Sequence, residues 1–323
     1  MKNYILRRVL QMIPVFFGIL VILFILIELA PGQPLTDLQD PRITAEHRAR
    51  MLERFGMHLP PHQRFVNWFL AVLTGDFGES ITHRRPVSAV ISDALVPTLT
   101  LSIASMLVSL MVGIPMGILS AIYKGRPIDS LFAVFAFVGI SMPSFFFGVL
   151  LILIFSVNLG ITPVSGFGSP PPFSSGANVI EFYLDRAWHL VLPVTVLGLI
   201  GSAGYMRYTR ASMLEVLGSD YICTARAKGL AESKIIIRHA MRNALIPIIT
   251  LMGLQLPALF SGSAITEAVF GLPGLGTIMI QAVGGRNFPI ILGIITIVAI
   301  ITLIAALITE IMYAAADPRV RYE

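Results

Sequence analysis

VLQMIPVFFGILVILFILIELA, residues 9–30, carries one ionisable side chain, Glu28, in an otherwise apolar run. As a helix rising 1.5 Å per residue it reaches about 33 Å, enough to cross the roughly 30 Å hydrocarbon core of a bilayer. Lys2, Arg7 and Arg8 precede it, as basic residues precede a secretory signal. The run is longer than a signal's apolar core, and no small-x-small cleavage site closes it, so it reads as a retained helix. Five further stretches meet the same length and composition: 99–122, 131–157, 188–206, 245–266 and 288–314. The expected fold is therefore an all-α membrane protein with six transmembrane helices.

Composition agrees. Of 323 residues, 55% are hydrophobic and 13% charged, and the mean hydropathy is +0.82. Soluble domains carry about 25% charged residues, so much of this surface meets something other than water. The single cysteine, Cys223, excludes an intrachain disulfide framework and the common multi-cysteine zinc patterns. A net charge of +5 raises nucleic acid as a partner, but no run of five or more like charges occurs and the basic residues sort by membrane side. With the N-terminus inside, 14 of the 23 Lys and Arg fall in inner segments, seven of them between Arg207 and Arg242. The short outer loops hold only Arg186 and Arg286. Both termini are thus expected in the cytoplasm.

The chain divides into a first span (1–30), an extracytoplasmic segment with short helices (31–97), a five-helix core (98–314) and a tail (315–323). Helices are expected at 44–55 and 61–73 in the outer segment, with Thr44 a cap and Gly56 a stop. The loop at 158–186, with Pro170, Pro171 and Pro172, reads as irregular.

The four middle spans hold no Asp, Glu, Lys or Arg in their cores, and Glu28 and Glu310 sit near helix ends. A proton relay has little to work with. Gly and Pro are frequent instead, which fits close helix packing and a cavity-forming bundle. No G-x-x-x-x-G-K-[ST], H-E-x-x-H or G-x-S-x-G occurs, so neither a P-loop nor a familiar hydrolase motif is present. Ser261-Gly262-Ser263 is a small-residue cluster without a catalytic base inside the spans.

Between the fourth and fifth spans, 219–247 reads SDYICTARAKGLAESKIIIRHAMRNALIP. Ser219 or Asp220 can cap a short helix at 221–228, Gly229 can end it in a left-handed conformation, and a second helix starts near Ala231. Arg226, Lys228, Lys234, Arg238 and Arg242 surround this turn. A loop of this kind can simply face lipid headgroups; the shaped helix–Gly–helix knob also suits a groove on a soluble partner.

This segment resembles the cytoplasmic EAA loop of ATP-binding-cassette importer permeases. Of the literal E-A-A-x-x-x-G pattern only Ala225 and Gly229 match, Cys223 and Thr224 standing in the first two places. The text DY-x-x-TARAKG with RHA-x-RNA-x-IP resembles one subfamily, the dipeptide, oligopeptide and nickel permeases. APGQP (30–34), GDFGES (75–80), ISMPSF (140–145), EAVFGLPGLG (267–276) and DPRVRY (317–322) resemble that subfamily in the same order. The resemblance implies a type I importer permease (MetI-like) fold and a subunit without catalysis or cofactor of its own. ATP and magnesium would be bound by two cytoplasmic ATPases. A second homologous permease would complete a heterodimer, and an extracytoplasmic binding protein would deliver solute to this inner-membrane pair.

Carried onto these residues, the resemblance makes Asp220, Tyr221, Thr224, Ala225, Arg226, Lys228 and Gly229 the coupling helix and turn. Ala225 would face the ATPase cleft, and Arg226 and Lys228 would pair with acids at its rim. Asp76, Glu79 and Glu267 are candidates for docking, gating or local capping. Pro143, Ser144, Gln255 and Ser261 are candidates to line the pathway. Short peptides are the expected solute, with nickel chelates, glutathione and oligosaccharides as alternatives; no metal ligand cluster lies in the spans. A stand-alone secondary transporter or an intramembrane enzyme would leave the cytoplasmic knob unexplained.

Overall fold

The computed structural model describes residues 2–29, 58–169 and 178–316. The helix expected at 44–55 and the stretches at 30–34 and 317–322 lie outside the described residues. In order come α1 (Lys2–Leu29), α2 (Pro61–Leu73), α3 (Val87–Ile122), α4 (Pro127–Ser141) and α5 (Ser144–Leu151), continued as a π-helix over Ile152–Asn158. Then follow α6 (Val179–Leu217), α7 (Asp220–Ala227) and α8 (Glu232–Ala244), π-helical at Ile235–Ala240. The order ends with α9 (Ile246–Ser261), α10 (Ala264–Val269), α11 (Leu275–Gly284) and α12 (Phe288–Ala316).

Four helical stretches are long and apolar enough to cross a bilayer: Leu6–Leu29, Val87–Ile122, Val179–Leu217 and Phe288–Glu310. Two bent pairs bring the number to six: Pro127–Ser141 with Ser144–Asn158, and Glu232–Ala244 with Pro247–Phe260. The first pair bends by 102°, so the third expected span is broken rather than straight. Pro143 causes the break. The residue before a proline is driven out of the helical region, and Met142 sits at φ −84°, ψ 123°. The fourth expected span lengthens to α6, whose 39 residues reach about 58 Å. That is longer than the roughly 30 Å hydrocarbon core requires, and its charged residues, among them Glu181, Asp185, Arg210 and Glu215, lie toward its two ends.

The chain forms two compact units, Met1–Val96 with Gly274–Glu323, and Pro97–Pro273. In the first, Val87, Val90, Ile91 and Ala94 repeat every three or four residues and pack with Leu275, Ala282, Ile290, Ile291 and Ile294. Contact is close: a Cβ on Gly293 would stand 2.6 Å from Cγ1 of Val87. α1 meets α2 through Phe17, Phe24, Phe65, Trp68 and Phe69, and Arg64 pairs with Glu28. The second helix-end acid, Glu310, pairs with Arg8 at 2.9 Å.

In the second unit α3 and α6 lie against each other on small residues. A Cβ on Gly113 would stand 2.6 Å from the Ser202 carbonyl, and one on Gly117 2.6 Å from Cβ of Thr209. Gly198 answers from α6, where a Cβ would meet Val108 Cγ1 at 2.6 Å. Without a hydrophobic drive between helices in lipid, this close approach supplies the packing. α4 joins them through Ala136, Ala203 and Met206.

Candidate functional site

The knob begins where α6 ends. Gly218 closes α6, and Ser219 takes the extended N-cap backbone of α7 at φ −77°, ψ 151°. The Ser219 hydroxyl donates to the Val216 carbonyl instead of capping α7. At the other end Gly229 has φ +76°. Its N–H donates to the Arg226 carbonyl at 2.9 Å, and the Leu230 N–H donates to the Ala225 carbonyl at 3.3 Å. These two bonds form a Schellman stop, which needs a left-handed residue at the position Gly229 holds.

The inner side of α7 is apolar. Ile222 is fully buried and Ala225 9% exposed, packed with Met213, Ala121, Ile235, Ala240 and Ala244. This differs from the expectation for Ala225. Its methyl lies against its own chain, because three residues after Ile222 it shares that side chain's face of the helix. The outer side carries Asp220, Tyr221, Cys223, Thr224, Arg226 and Lys228, all exposed.

The cations divide into two kinds. Arg226 donates from Nη2 and Nε to both carboxylate oxygens of Glu232, at 2.7 and 3.2 Å, across the Gly229 turn. The carboxylate raises the Arg226 pKa above its ordinary value. Arg210, on α6, is held bidentately by Asp129 at 2.8 and 2.9 Å. Asp129 also accepts from the Ser120 hydroxyl and, at 2.9 Å, from the Gly125 N–H. Composition and spacing had no means of pairing residues 81 positions apart, so this buried network was not foreseen. By contrast, Arg238, His239 and Arg242 line a cleft with Tyr221 and Asn243. The Asn243 amide donates to the Tyr221 hydroxyl at 2.8 Å.

The other candidates lie apart from the knob. Asp76 is exposed and accepts the Gly78 N–H at 2.8 Å, the bond of a local Asx turn. Glu79 is exposed, and its backbone bridges to Pro86. Glu267 is 1% exposed on α10 and accepts from the Thr98 hydroxyl at 2.8 Å. It lies in the first turn of α10, after the N-cap Ser263, whose hydroxyl donates to the Thr266 hydroxyl at 2.9 Å. Pro143 and Ser144 form the α4–α5 bend, and Gln255 is exposed on α9. The Ser261 side chain lies outside the described residues. No group of three metal-ligating side chains occurs among the described residues.

Residues 113–322 match the model of a family described as the binding-protein-dependent transport system inner membrane component. The chain belongs to this family. Over the full length of both chains it is 39% identical to the oligopeptide transport system permease protein AppB of Bacillus subtilis (strain 168). It is 37% identical, again over all of both chains, to the dipeptide transport system permease protein DppB of Escherichia coli (strain K12). The same identity and coverage hold for the glutathione transport system permease protein GsiC of Salmonella typhimurium. Among solved structures, a chain of the inward-facing MetNI methionine ABC transporter aligns with 71% of this chain and 97% of its own, at TM-score 0.55 and 18% identity. That likeness supports the MetI-like fold. The chain is a membrane permease subunit of an ABC importer, and its relatives are transport proteins rather than enzymes.

Proposed function

We propose that this permease imports di- or oligopeptides, delivered by an extracytoplasmic binding protein, through alternating access driven by two partner ATPases. ATP hydrolysis resides on those partners, and α7 is the helix they hold. Both termini then lie in the cytoplasm, and a second, non-identical permease completes the path. The observation that carries this reading is the knob itself: a short helix, outer face exposed, stopped by a left-handed glycine and seated by Ile222 and Ala225 on its own bundle. A rigid attachment of this kind transmits a pull into α6 and α8, as rigid-body switching requires. Tyr221, Thr224 and Lys228, spaced by three and four, form the stripe a partner would meet. The peptide assignment follows the substrates named for the three relatives above, all peptides; glutathione is the narrower alternative among them.

Cys223 supplies the test, because it is the only cysteine and is exposed on α7. Cysteines placed around the cleft of the ATPase should cross-link to it in the assembled transporter, with a yield that changes on adding ATP. Unchanged maleimide labelling of Cys223 with and without the ATPases would overturn the coupling role. Peptide uptake by proteoliposomes carrying all subunits and the binding protein tests the substrate.

A further inference from the structure

α8 leads to α9 through a π turn, and that turn decides which of its side chains seat α7. Ile235, Ala240 and Ala244 are fully buried and share one cluster with Met213, Ile222 and Ala225. On an α-helix five residues turn through about 500°, which would leave Ile235 and Ala240 about 140° apart. Hydrogen bonds that reach five residues back instead of four take in one spare residue and bring the two onto one face. Ile237, within the bulge, is 66% exposed, and Ile236 is half-buried at the edge of the cluster.

The bulge can close into α-helix from either side, and the two closures are unequal. If the part after it turned, His239 and Arg242 would come within about 40° of Ile235 and enter the seat. Both now line the cleft with Tyr221, and burying an imidazole and a guanidinium against Ile222 and Met213 is costly. If the part before it turned, Ile236 would take the place of Ile235, four residues ahead of Ala240. The seat would exchange one isoleucine for another, with its volume kept and no polar group buried. That closure turns Glu232–Lys234 by about 100° and lengthens α8 by about 1.5 Å, the share of the residue released. The π stretch at Ile152–Asn158 has no such freedom. It ends its helix, and the Ser156 hydroxyl there bonds the Thr162 hydroxyl and the Pro163 carbonyl.

We propose that the π turn at Ile235–Ala240 is a slip joint. A pull on α7 draws one residue out of the bulge, Ile236 replaces Ile235, and α6 with α7 still seated shifts against α9. π turns are rare and gather at functional sites. A shift of about 1–2 Å between packed helices is an ordinary switching step. The joint rests on the coupling role of α7 and states where in the chain the pull is taken up.

The test is maleimide labelling of single cysteines in the whole transporter, with its partner subunits, before and after adding ATP. In a chain carrying Cys223→Ser, Ile235→Cys is buried at rest, and its labelling should rise roughly 10-fold with ATP. Ile236→Cys should change in the opposite sense, and it serves alone if Ile235→Cys does not assemble. Deleting Ile237 puts Ile235 four residues before Ala240 on an ordinary α-helix. That variant should therefore fold and keep its ATPases, yet show no rise at Ile235→Cys. A rise at both positions would overturn the joint, because α7 would then be leaving its seat. So would a rise that survives the deletion, or no change at either position. Shielding of Cys223 by the ATPases in the unaltered chain reads docking separately. If Cys223 is shielded and neither position changes, the joint falls and the coupling role stands. If Cys223 is not shielded, the coupling role falls and the joint with it.

Discussion

Arg210 on α6 and Arg242 on α8 belong to one compact unit, yet they occupy opposite kinds of surroundings. Around Arg210 the chain supplies its own anion: Asp129, 7% exposed, with Ser120 and the Gly125 N–H completing its bonds. Around Arg242 the described residues supply none: Tyr221, Arg238, His239 and Asn243 share its cleft. A charge that the chain neutralises itself fixes the ends of α3, α4 and α6 to one another. A charge left open contributes nothing to that fastening and is available to a partner outside the chain. The pair of regions shows that the basic residues between the fourth and fifth spans, read as one class in the sequence, are two classes in the structure.

The sharpest way to break that comparison is Asp129→Ala. It leaves the Arg210 guanidinium, whose side chain is 32% exposed, and the buried Ser120 hydroxyl without their acceptor. Removing one partner of a buried ion pair is strongly destabilising, and about 3 kcal/mol is expected. Thermal unfolding of the detergent-purified transporter should show a clear drop for Asp129→Ala and little change for Arg242→Ala. Equal drops would mean that both arginines are structural.

Gly117→Ala comes next, and it tests whether the Arg210 network depends on the α3–α6 contact just above it. The added methyl would meet the Met206 carbonyl at 2.7 Å, backbone that has no room to move. Overpacking of this kind costs about 1–3 kcal/mol. The same thermal measurement reads it, with Gly204→Ala as a control, since a Cβ there meets nothing within 4 Å.

What was legible beforehand follows the reach of each signal. Apolar runs report the solvent around a helix, so the six expected stretches fall on four long apolar helices and two bent pairs; they are blind to direction, so the 102° turn at Pro143 was not read from them. The proline was visible, but a kink and a reversal share the same residue. The α7 stop was legible because a left-handed turn after a short helix calls for glycine, and Gly229 stood there. The facing of Ala225 was not legible, since an alanine between a core and a solvent face carries too little hydrophobic signal to choose. Arg226 was read as open to a partner because Glu232, six residues on, meets it only once the Gly229 turn folds the chain back.

Gly229→Ala carries a smaller effect on stability. Nothing crowds the position, so only the left-handed backbone is strained, by about 1 kcal/mol. Gly229→Asn should cost less, because asparagine tolerates that conformation. If the turn orients α7, transport and ATPase stimulation should fall in the order Gly, Asn, Ala. A flat series would remove the turn from the coupling step.

Arg226→Gln has the smallest expected effect and places the third arginine within the comparison. Its partner is in the chain, as for Arg210, but the pair is open to water: the side chains are 43% and 55% exposed. Exposed pairs contribute little and are screened by salt, so the thermal midpoint should not move measurably. The pair nevertheless spans the Gly229 turn and ties α7 to the start of α8. Its effect should therefore appear in coupling rather than in stability, as a modest loss of ATPase stimulation that 0.5 M salt reproduces in the wild type. If the midpoint falls as far as for Asp129→Ala, the tie holds the fold, and Arg226 belongs with Arg210. If neither midpoint nor stimulation changes, the seating of α7 rests on Ile222 and Ala225 alone.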